Sequence, residues 1–381
     1  MKKNKPKFVQ IIMTLGSGCS TQISEKQSYI LNPRDSMAKK GIDCEIWTTM
    51  KNGGKKIGPY FGIKVRRFSN TLSLLLHLAF DKDITLVYGH LRPYPPALLS
   101  PIFFKKCILM TQTYELGSNW LAKKISLFFM KRFTRIFALT PYEREEYIKN
   151  GLSRDKVVFF PHAIDYSFFS KKPKKDLDKI RRKYGVSKDD FVITSIANFR
   201  KFKNLDIMVG AFALFNKNIK KSKMFVVGKD QTKNSTYREQ SSKRYRGVED
   251  VGEVIKKEKI SEKVIFTGSL RHKEVRDILY ISDLFVNSSD PEGMGMAIYE
   301  AASAGVPLCL SNIGSFTSVF KDMAIYSSPR DKKKLAENYL KYYKNPSLRK
   351  KIGKRLKQYI KNWDYPLAMK KFDKIFSEIL D

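Results

Sequence analysis

The chain has 381 residues, 42% of them hydrophobic, which is enough for two globular domains with a substantial buried core. Lys and Arg total 73 against 37 Asp and Glu, so the formal net charge is +36 and the chain must attract polyanions such as nucleic acid, anionic lipid or pyrophosphate-bearing substrates. No apolar run approaches the roughly 20 residues that span a bilayer, and residues 1–19 lack a signal-peptide pattern. We therefore expect no membrane-spanning segment and a catalytic face in the cytoplasm.

The cysteines are Cys19, Cys44, Cys107 and Cys309, which lie far apart in the chain. They form no C-x-x-C pair, and no histidine lies at zinc-site spacing from them. We therefore expect neither a disulfide nor a structural metal, as is typical of a reducing compartment.

The first half begins with an apolar stretch, residues 7–14, that predicts a buried strand. It runs into a turn with Gly16 and Gly18 and then into a helical segment, which is how a nucleotide-binding α/β domain begins. The third glycine of the dinucleotide-binding fingerprint is missing, so a tight turn with no binding role explains the pattern equally well. If the turn is functional, its backbone would approach an acceptor or a donor phosphate.

Apolar strands then alternate with helical segments, which predicts a parallel, doubly wound sheet with active-site residues at the carboxyl ends of its strands. His90 and Gln112 follow two of these strands. His90 fits a structural histidine as well as a functional one, whereas Gln112 can hydrogen-bond a sugar hydroxyl but cannot titrate near neutrality. Asp81 and Asp83 precede a strand, so we interpret them as a helix-to-strand turn and not as a metal pair. The predicted strands are 43–49, 62–68, 83–88, 106–111 and 135–140.

Residues 119–137 (NWLAKKISLFFMKRFTRIF) predict a basic amphipathic helix with aromatic side chains. Peripheral membrane enzymes use such helices on anionic lipid. A helix that covers a sheet also buries an apolar stripe and exposes charge, so both interpretations stay open.

A second α/β series follows a charged, proline-bearing linker at residues 170–175. Its first strand, 191–197, leads into a basic loop with Arg200 and Lys203 and then into a helix. Three more features complete the series: a long polar loop at 229–246, a strand at 263–268 that ends at Gly268, and a helix at 335–361.

The segment 290–315 follows a short apolar strand, residues 283–287. A helix is predicted to begin near Gly295 and to end at Gly305, with Pro307 just beyond. Glu292 then lies in the entry loop and Glu300 inside the helix. The two carboxylates flank a helix N-terminus, which can bind an anion because its N–H groups and the positive end of the dipole point the same way.

The sequence EGMGMAIYEAASAGVP resembles the E-x7-E signature of retaining GT-B glycosyltransferases, specifically glycosyltransferase family 4. The resemblance implies two Rossmann-like domains that face a cleft, with the last helix crossing back to the first domain. The acceptor-side domain would comprise residues 1–170 and 364–381, and the donor-binding domain residues 171–363.

Site residues follow from this resemblance. Glu300 would bind the donor ribose, while Glu292 and the amides of the next four residues would hold the sugar and diphosphate. Arg200 and Lys203 would contact the diphosphate and Gly268 the base. The remaining implied contacts are Gln112 to the donor sugar and Gly16, Gly18, His90 and His162 in the cleft; the four amides are those of Gly293, Met294, Gly295 and Met296.

The chain departs from the family pattern at three places. Gln112 stands where the family frequently has a histidine, and His162 with Ala163 replaces the usual Asn-Gly. An Arg is commonest at the position of Asn198, so Arg200 is the nearest substitute for it.

The resemblance implies retaining transfer of a sugar from a UDP- or GDP-sugar to a glycan or lipid-linked acceptor, with no metal and no cofactor besides the donor. Peripheral attachment to the cytoplasmic face of a membrane through residues 119–137 would fit the charge. Two alternatives remain open. One is a basic nucleic-acid-binding protein, although recognisable nucleic-acid motifs are missing and the charge is dispersed along the chain. The other is a catalytically inactive GT-B partner subunit.

Overall fold

The computed structural model describes residues 6–12, 21–22, 37–49, 62–91, 95–104, 106–111, 116, 119–229 and 250–380. The described strands, in chain order, are β1 Lys7–Ile11, β2 Thr21–Gln22, β3 Asp43–Thr48, β4 Lys64–Arg67, β5 Ile84–Leu91, β6 Cys107–Thr111, β7 Arg135–Ala138, β8 Val157–Phe159, β9 Phe191–Ile196, β10 Ser222–Val227, β11 Val264–Gly268, β12 Leu270–Arg271, β13 Leu284–Asn287, β14 Leu308–Ser311 and β15 Ala324–Ser327.

The α-helices in the same ranges are Thr71–Phe80, Pro95–Leu99, Trp120–Met130, Pro141–Lys149, Tyr166–Phe169, Leu177–Lys183, Leu205–Asn218, Val251–Glu258, His272–Leu279, Met296–Ala304, Gly314–Phe320, Lys332–Lys344, Pro346–Ile360 and Tyr365–Leu380. Short 3-10 turns lie at Ser100–Ile102, Lys201–Lys203, Lys321–Met323 and Lys361–Trp363. None of these helices combines the length and the apolar character needed to cross a membrane.

The chain divides into two units. The first comprises the described parts of Met1–Ser17, Glu25–Ala163 and Tyr365–Asp381, and the second those of Gly18–Ser24 and Ile164–Asp364. Residues 164–170, predicted to lie in the first domain, belong to the second unit because Ile164 forms a parallel bridge with Asp364 and donates its N–H to Trp363 O at 3.1 Å.

The first unit is built on a seven-stranded sheet in the order β4-β3-β1-β5-β6-β7-β8, with parallel pairing throughout. Every residue of β6 is buried, as expected for a parallel sheet covered on both faces. The final helix, Tyr365–Leu380, packs Phe372 and Phe376 on this sheet, and the Phe8 and Phe376 ring centroids lie 5.6 Å apart. The predicted return of the last helix to the first domain is therefore confirmed.

The second unit is built on a six-stranded parallel sheet in the order β11-β10-β9-β13-β14-β15. The helices Leu205–Asn218 and Lys332–Lys344 pack together and bury Phe212 and Tyr339 against the sheet. Two parallel, Rossmann-like sheets confirm the predicted α/β fold class.

Two helix predictions were wrong in extent. The helix predicted over 119–137 ends at Met130, because Phe133 and Phe137 are buried in the first unit and Arg135–Ala138 is a strand. The helix predicted over 335–361 is two helices that meet at Pro346, whose ring blocks continuation of the preceding helix.

The helices Met296–Ala304 and Pro346–Ile360 approach each other closely at two glycines. A Cβ added to Gly353 would lie 2.1 Å from the carbonyl oxygen of Gly305, and Gly305 itself has φ +81°. The two helices therefore touch backbone to backbone, which only glycine at position 353 permits.

Candidate functional site

The predicted donor residues of the second unit lie at the carboxyl ends of neighbouring strands. Strand β9 pairs with β10 on one side and with β13 on the other, so the sheet order reverses between β9 and β13. Ligands of open α/β sheets bind beside the carboxyl ends of strands at such a switch point. The topology therefore favours the loops after β9 and β13 as a binding site.

The loop after β9 is fastened to the loop after β13 by two hydrogen bonds. Asp290 N donates to Phe202 O at 2.8 Å, and Asn204 Nδ2 donates to Ser288 O at 2.8 Å. Asn204 has φ 49°, a left-handed conformation that Asn tolerates better than most residues. Its side chain and backbone together turn the chain from the 3-10 turn Lys201–Lys203 into the following helix.

This fastening brings Lys203 to Glu292. The Lys203 ammonium forms an ion pair with Oε2 of Glu292, and their side chains are only 16% and 14% exposed. The prediction that a cation and a carboxylate from these two loops share one site is supported by this contact. Because water is largely excluded, the pair is screened by salt less than a surface pair would be.

The helix Met296–Ala304 begins at Gly295, as its sequence predicts, and Gly295 takes a conformation that disfavours a side chain. Gly295 has φ +67°, and a Cβ there would lie 2.9 Å from Ile298 Cδ1. No side chain caps this N-terminus. The first-turn N–H groups of any helix lack intrahelical acceptors, so the amides near Gly293 to Met296 form a suitable anion-binding surface.

Glu300 lies further along this helix and is 3% exposed. Its Oε1 is 3.8 Å from Nε2 of His272, the first residue of the helix His272–Leu279. Burial lowers the pKa of His272 to about 4, although the nearby Asp165 carboxylate acts in the opposite direction. The imidazole is therefore neutral near pH 7 and offers Glu300 a polar neighbour without a full charge.

His272 is a residue that sequence reasoning missed. In the sequence it reads as the ordinary first residue of a helix, and its partner lies far along the chain. The available signal was its place four residues after Gly268, which ends the strand β11.

Arg200 and Gly268 complete the predicted residues of the second unit. Arg200 precedes the 3-10 turn Lys201–Lys203 and is partly buried. Gly268 ends the edge strand β11 with φ +67° and open space where a Cβ would lie, and its carbonyl accepts a hydrogen bond from Gly228 N at 3.0 Å. Asn198, which stands at the common Arg position, is instead a buried residue whose Oδ1 accepts the Lys229 N–H.

The predicted residues of the first unit are less fully described. His90 lies inside β5, where its backbone pairs with Met110, and not after the strand as predicted. His162 follows β8 and is buried, and burial lowers its pKa to about 3. Gln112, Gly16 and Gly18 lie outside the described residues, so the roles of all five stay predictions.

The Asp81–Asp83 turn behaves as its sequence predicts. Lys7 Nζ lies 2.9 Å from Asp81 and 3.5 Å from Asp83, and the turn joins the helix Thr71–Phe80 to β5. Over the described ranges no group of three or more His, Cys, Asp or Glu side chains is placed to hold a metal ion.

Residues 176–359 match the family model "Glycosyl transferases group 1". Among named relatives, the chain is 25% identical over 187 residues to N-acetyl-alpha-D-glucosaminyl L-malate synthase of Bacillus anthracis, covering 49% of this chain and 44% of the relative. It is 21% identical over 239 residues to alpha-galactosylglucosyldiacylglycerol synthase of Streptococcus pneumoniae, covering 62% and 59%. The matches thus span about half of each relative.

A solved structure with the same fold is that of Anabaena Alr3699/HepE in complex with UDP and glucose. It has a TM-score of 0.76 and 14% identity, and the match covers 98% of this chain and 99% of that chain. At this identity the likeness shows the fold alone. With the two parallel sheets it confirms the predicted GT-B fold class.

Proposed function

We propose that this chain is a retaining family 4 glycosyltransferase, because residues 176–359 match the glycosyl transferases group 1 family model. It would transfer a sugar from a UDP- or GDP-sugar to a glycan or lipid-linked acceptor without a metal ion. The observation that carries the proposal is the Lys203–Glu292 pair, which lies between the carboxyl ends of β9 and β13 where the fold places ligands.

The donor diphosphate would lie against Arg200, Lys203 and the uncapped amides that begin the helix Met296–Ala304. The ribose would hydrogen-bond Glu300, the base would meet Gly268, and the sugar would lie near Glu292. The structural neighbour Alr3699/HepE, crystallised with UDP and glucose, supports a nucleotide donor for this fold.

The chemistry of the site explains its cations. Departure of a nucleoside diphosphate builds negative charge on phosphate oxygens, and preorganised cations and amides stabilise that charge in the transition state. Lys203 would exchange part of its contact with Glu292 for the diphosphate, which leaves Glu292 able to accept a hydrogen bond from a sugar hydroxyl. The resemblance to family 4 favours a front-face displacement in which the leaving phosphate takes the acceptor proton.

A lipid-linked acceptor is supported by an exposed apolar face on the helix Trp120–Met130. Trp120 is 67% and Phe128 is 53% exposed, and Leu121 and Ile125 are exposed beside them. Lys124 Nζ lies 3.9 Å from the Trp120 ring centroid, and the Arg132 guanidinium lies 3.7 Å from that of Phe128. Such a face suits the interface of an anionic membrane.

Tryptophan fluorescence on anionic vesicles tests this contact. The emission of the unmodified chain should shift to the blue, and the shift should be lost in Trp120→Tyr, because Trp47 and Trp363 are buried.

A thermal-shift screen of UDP- and GDP-sugars tests the function. A donor at one hundred times its dissociation constant should stabilise the protein by about 2.7 kcal/mol. Mass spectrometry of the reaction with each stabilising donor then detects transfer or slow hydrolysis. Absence of stabilisation by any nucleotide sugar, with salt-dependent binding to RNA, would favour the nucleic-acid alternative. Donor binding without any turnover would favour the inactive partner subunit.

A further inference from the structure

The structure shows a concentration of positive charge that the sequence did not reveal. The helices Lys332–Lys344 and Pro346–Ile360 follow one another in the chain and pack together in the second unit. Each helix carries exposed lysines away from its buried residues, so their ammonium groups point away from the core of the unit. We call this the lysine surface; it consists of Lys333, Lys341, Lys344, Lys350, Lys351 and Lys354.

Carboxylates do not neutralise the lysine surface. Glu337 is the one acidic residue within these two fully described helices, and it pairs with Lys334 at 2.9 Å. Asp322, from the preceding 3-10 turn, pairs with Arg355 at 2.8 Å. Asp331, the N-cap of the first helix, accepts the Lys334 backbone N–H. Among the described residues none of these three carboxylates forms an ion pair with the six lysines, so the lysine surface keeps its charge.

Both arginines of these helices already have partners within the unit. Arg355 pairs with Asp322, and Arg349 donates to the Tyr343 carbonyl at 3.0 Å and stacks over the Phe191 ring. What faces outward is lysine, a flexible point charge without the rigid fork that reads phosphate geometry. Such a surface matches a diffuse layer of negative charge better than one defined phosphate.

We infer that the lysine surface binds the anionic headgroups of a lipid bilayer. Single-stranded nucleic acid binds through aromatic side chains on which bases stack, and the one exposed ring of these helices, Tyr343, lies against Phe191 and Phe215 in the unit. Six unpaired lysines without an exposed aromatic platform instead fit the polybasic surfaces that adsorb to anionic lipid.

This contact differs from the one proposed for the helix Trp120–Met130. The lysine surface has no large apolar side chain to insert, so its attraction is electrostatic and is screened at high salt, where the Debye length falls from about 10 Å at 0.1 M to about 3 Å at 1 M. The inference does not depend on the identity of the donor or on catalysis, because none of the six lysines contributes to the proposed donor site.

The test compares two triple variants of the full chain in vesicle flotation. The first is Lys350→Ala, Lys351→Ala, Lys354→Ala. The matched control is Lys188→Ala, Lys217→Ala, Lys221→Ala, which removes the same net charge from the same unit, but each of these lysines lies 3.1 Å from a carboxylate. Vesicles contain phosphatidylcholine alone or with 40 mol% phosphatidylglycerol, and melting temperatures establish that both variants fold.

Each lysine near an anionic surface contributes roughly fivefold to partitioning, so the first variant should bind the anionic vesicles roughly a hundredfold more weakly at 0.1 M salt. The control should stay close to the unmodified chain. Equal losses in the two variants would overturn the inference, because the net charge would then act without a defined surface. So would unchanged vesicle binding with weakened binding of a short RNA. The thermal shift with nucleotide sugar is measured in parallel and should be the same in both variants, so a failed donor assay would not be mistaken for a failed lysine surface.

Discussion

The donor site and the lysine surface both depend on lysine, but the two regions use it in opposite ways. At the donor site Lys203 is 16% exposed and is held by Glu292. On the lysine surface the side chains are exposed, and no carboxylate of the described residues forms an ion pair with them. Burial makes a charge selective because only a partner with the right geometry replaces the lost water, whereas exposure makes it general and sensitive to salt. In the two proposals, one unit would therefore carry a specific anion-binding site and a nonspecific cationic surface.

The largest difference between the two regions is expected in their response to pH, because His272 lies beside Glu300 at the proposed donor site. Its pKa is about 4 in the folded protein against 6.5 ordinarily, so the unfolded chain gains a proton at a pH where the folded chain does not. Stability that is present above pH 6.5 is therefore lost as the pH falls toward 4, by about 3 kcal/mol. Urea unfolding at pH 7 and pH 4 measures the loss.

The control for this prediction is His272→Gln, which cannot titrate. It should lose about 3 kcal/mol less than the unmodified chain over the same pH interval, while the contribution of buried His162 in the first unit remains in both proteins. Equal losses would show that His272 is not the source. Vesicle binding through the lysine surface should change little across this range, since lysine stays protonated.

Removal of the buried carboxylate is the next largest expected effect. Glu300→Ala should weaken donor binding by about 2 kcal/mol, roughly thirtyfold, because a hydrogen bond to a charged group is lost. Calorimetry with the nucleotide sugar found in the screen measures it. Glu337→Ala removes an exposed carboxylate of the same unit and should leave donor affinity unchanged. Similar affinities in the two variants would remove Glu300 from the ribose site.

The smallest effect is expected at Lys203. Lys203→Ala should weaken donor binding roughly tenfold, about 1.4 kcal/mol, which is near the low end for a charged hydrogen bond because Lys203 must give up part of its contact with Glu292 when it binds phosphate. Lys221→Ala, whose partner is Asp189 at the surface, is the matched control. In 0.5 M salt the Lys203 effect should persist while vesicle binding falls. A Lys203 effect that disappears at this ionic strength would contradict the buried ion pair.

Much of the second unit could be predicted because its information is local. Glycines begin and end the helix Met296–Ala304, and polar residues follow β9 and β13. These signals lie within a few positions of the elements that they define, so they predict the strand–loop–helix arrangement of the site. The fold class followed from the alternation of strands and helices.

What could not be predicted depends on contacts between distant positions. His272 meets Glu300 because two separate helices converge, and no local pattern pairs them. The end of the helix at Met130 could not be predicted because Phe133 and Phe137 continue the apolar pattern of the helix. In the structure both side chains are buried in the core, and Phe137 lies in the strand β7. Pro346 is the local signal for the break between the last two helices of the second unit, because a proline ring blocks continuation of the preceding helix. The lysine surface could not be predicted because it depends on which lysines of two packed helices are exposed.

The contact at Gly305 and Gly353 has a consequence for orientation. It joins the helix that carries Glu300 to the helix that carries half of the lysine surface, with backbone against backbone and no flexible side chain between. A side chain between the helices could change its rotamer and let them shift, whereas two main chains in contact keep the angle between the helices fixed. If a bilayer binds the lysines as proposed, the glycine contact would also fix the angle between the membrane plane and the helix Met296–Ala304. A sugar nucleotide bound at the N-terminus of that helix would then have a fixed orientation relative to the membrane.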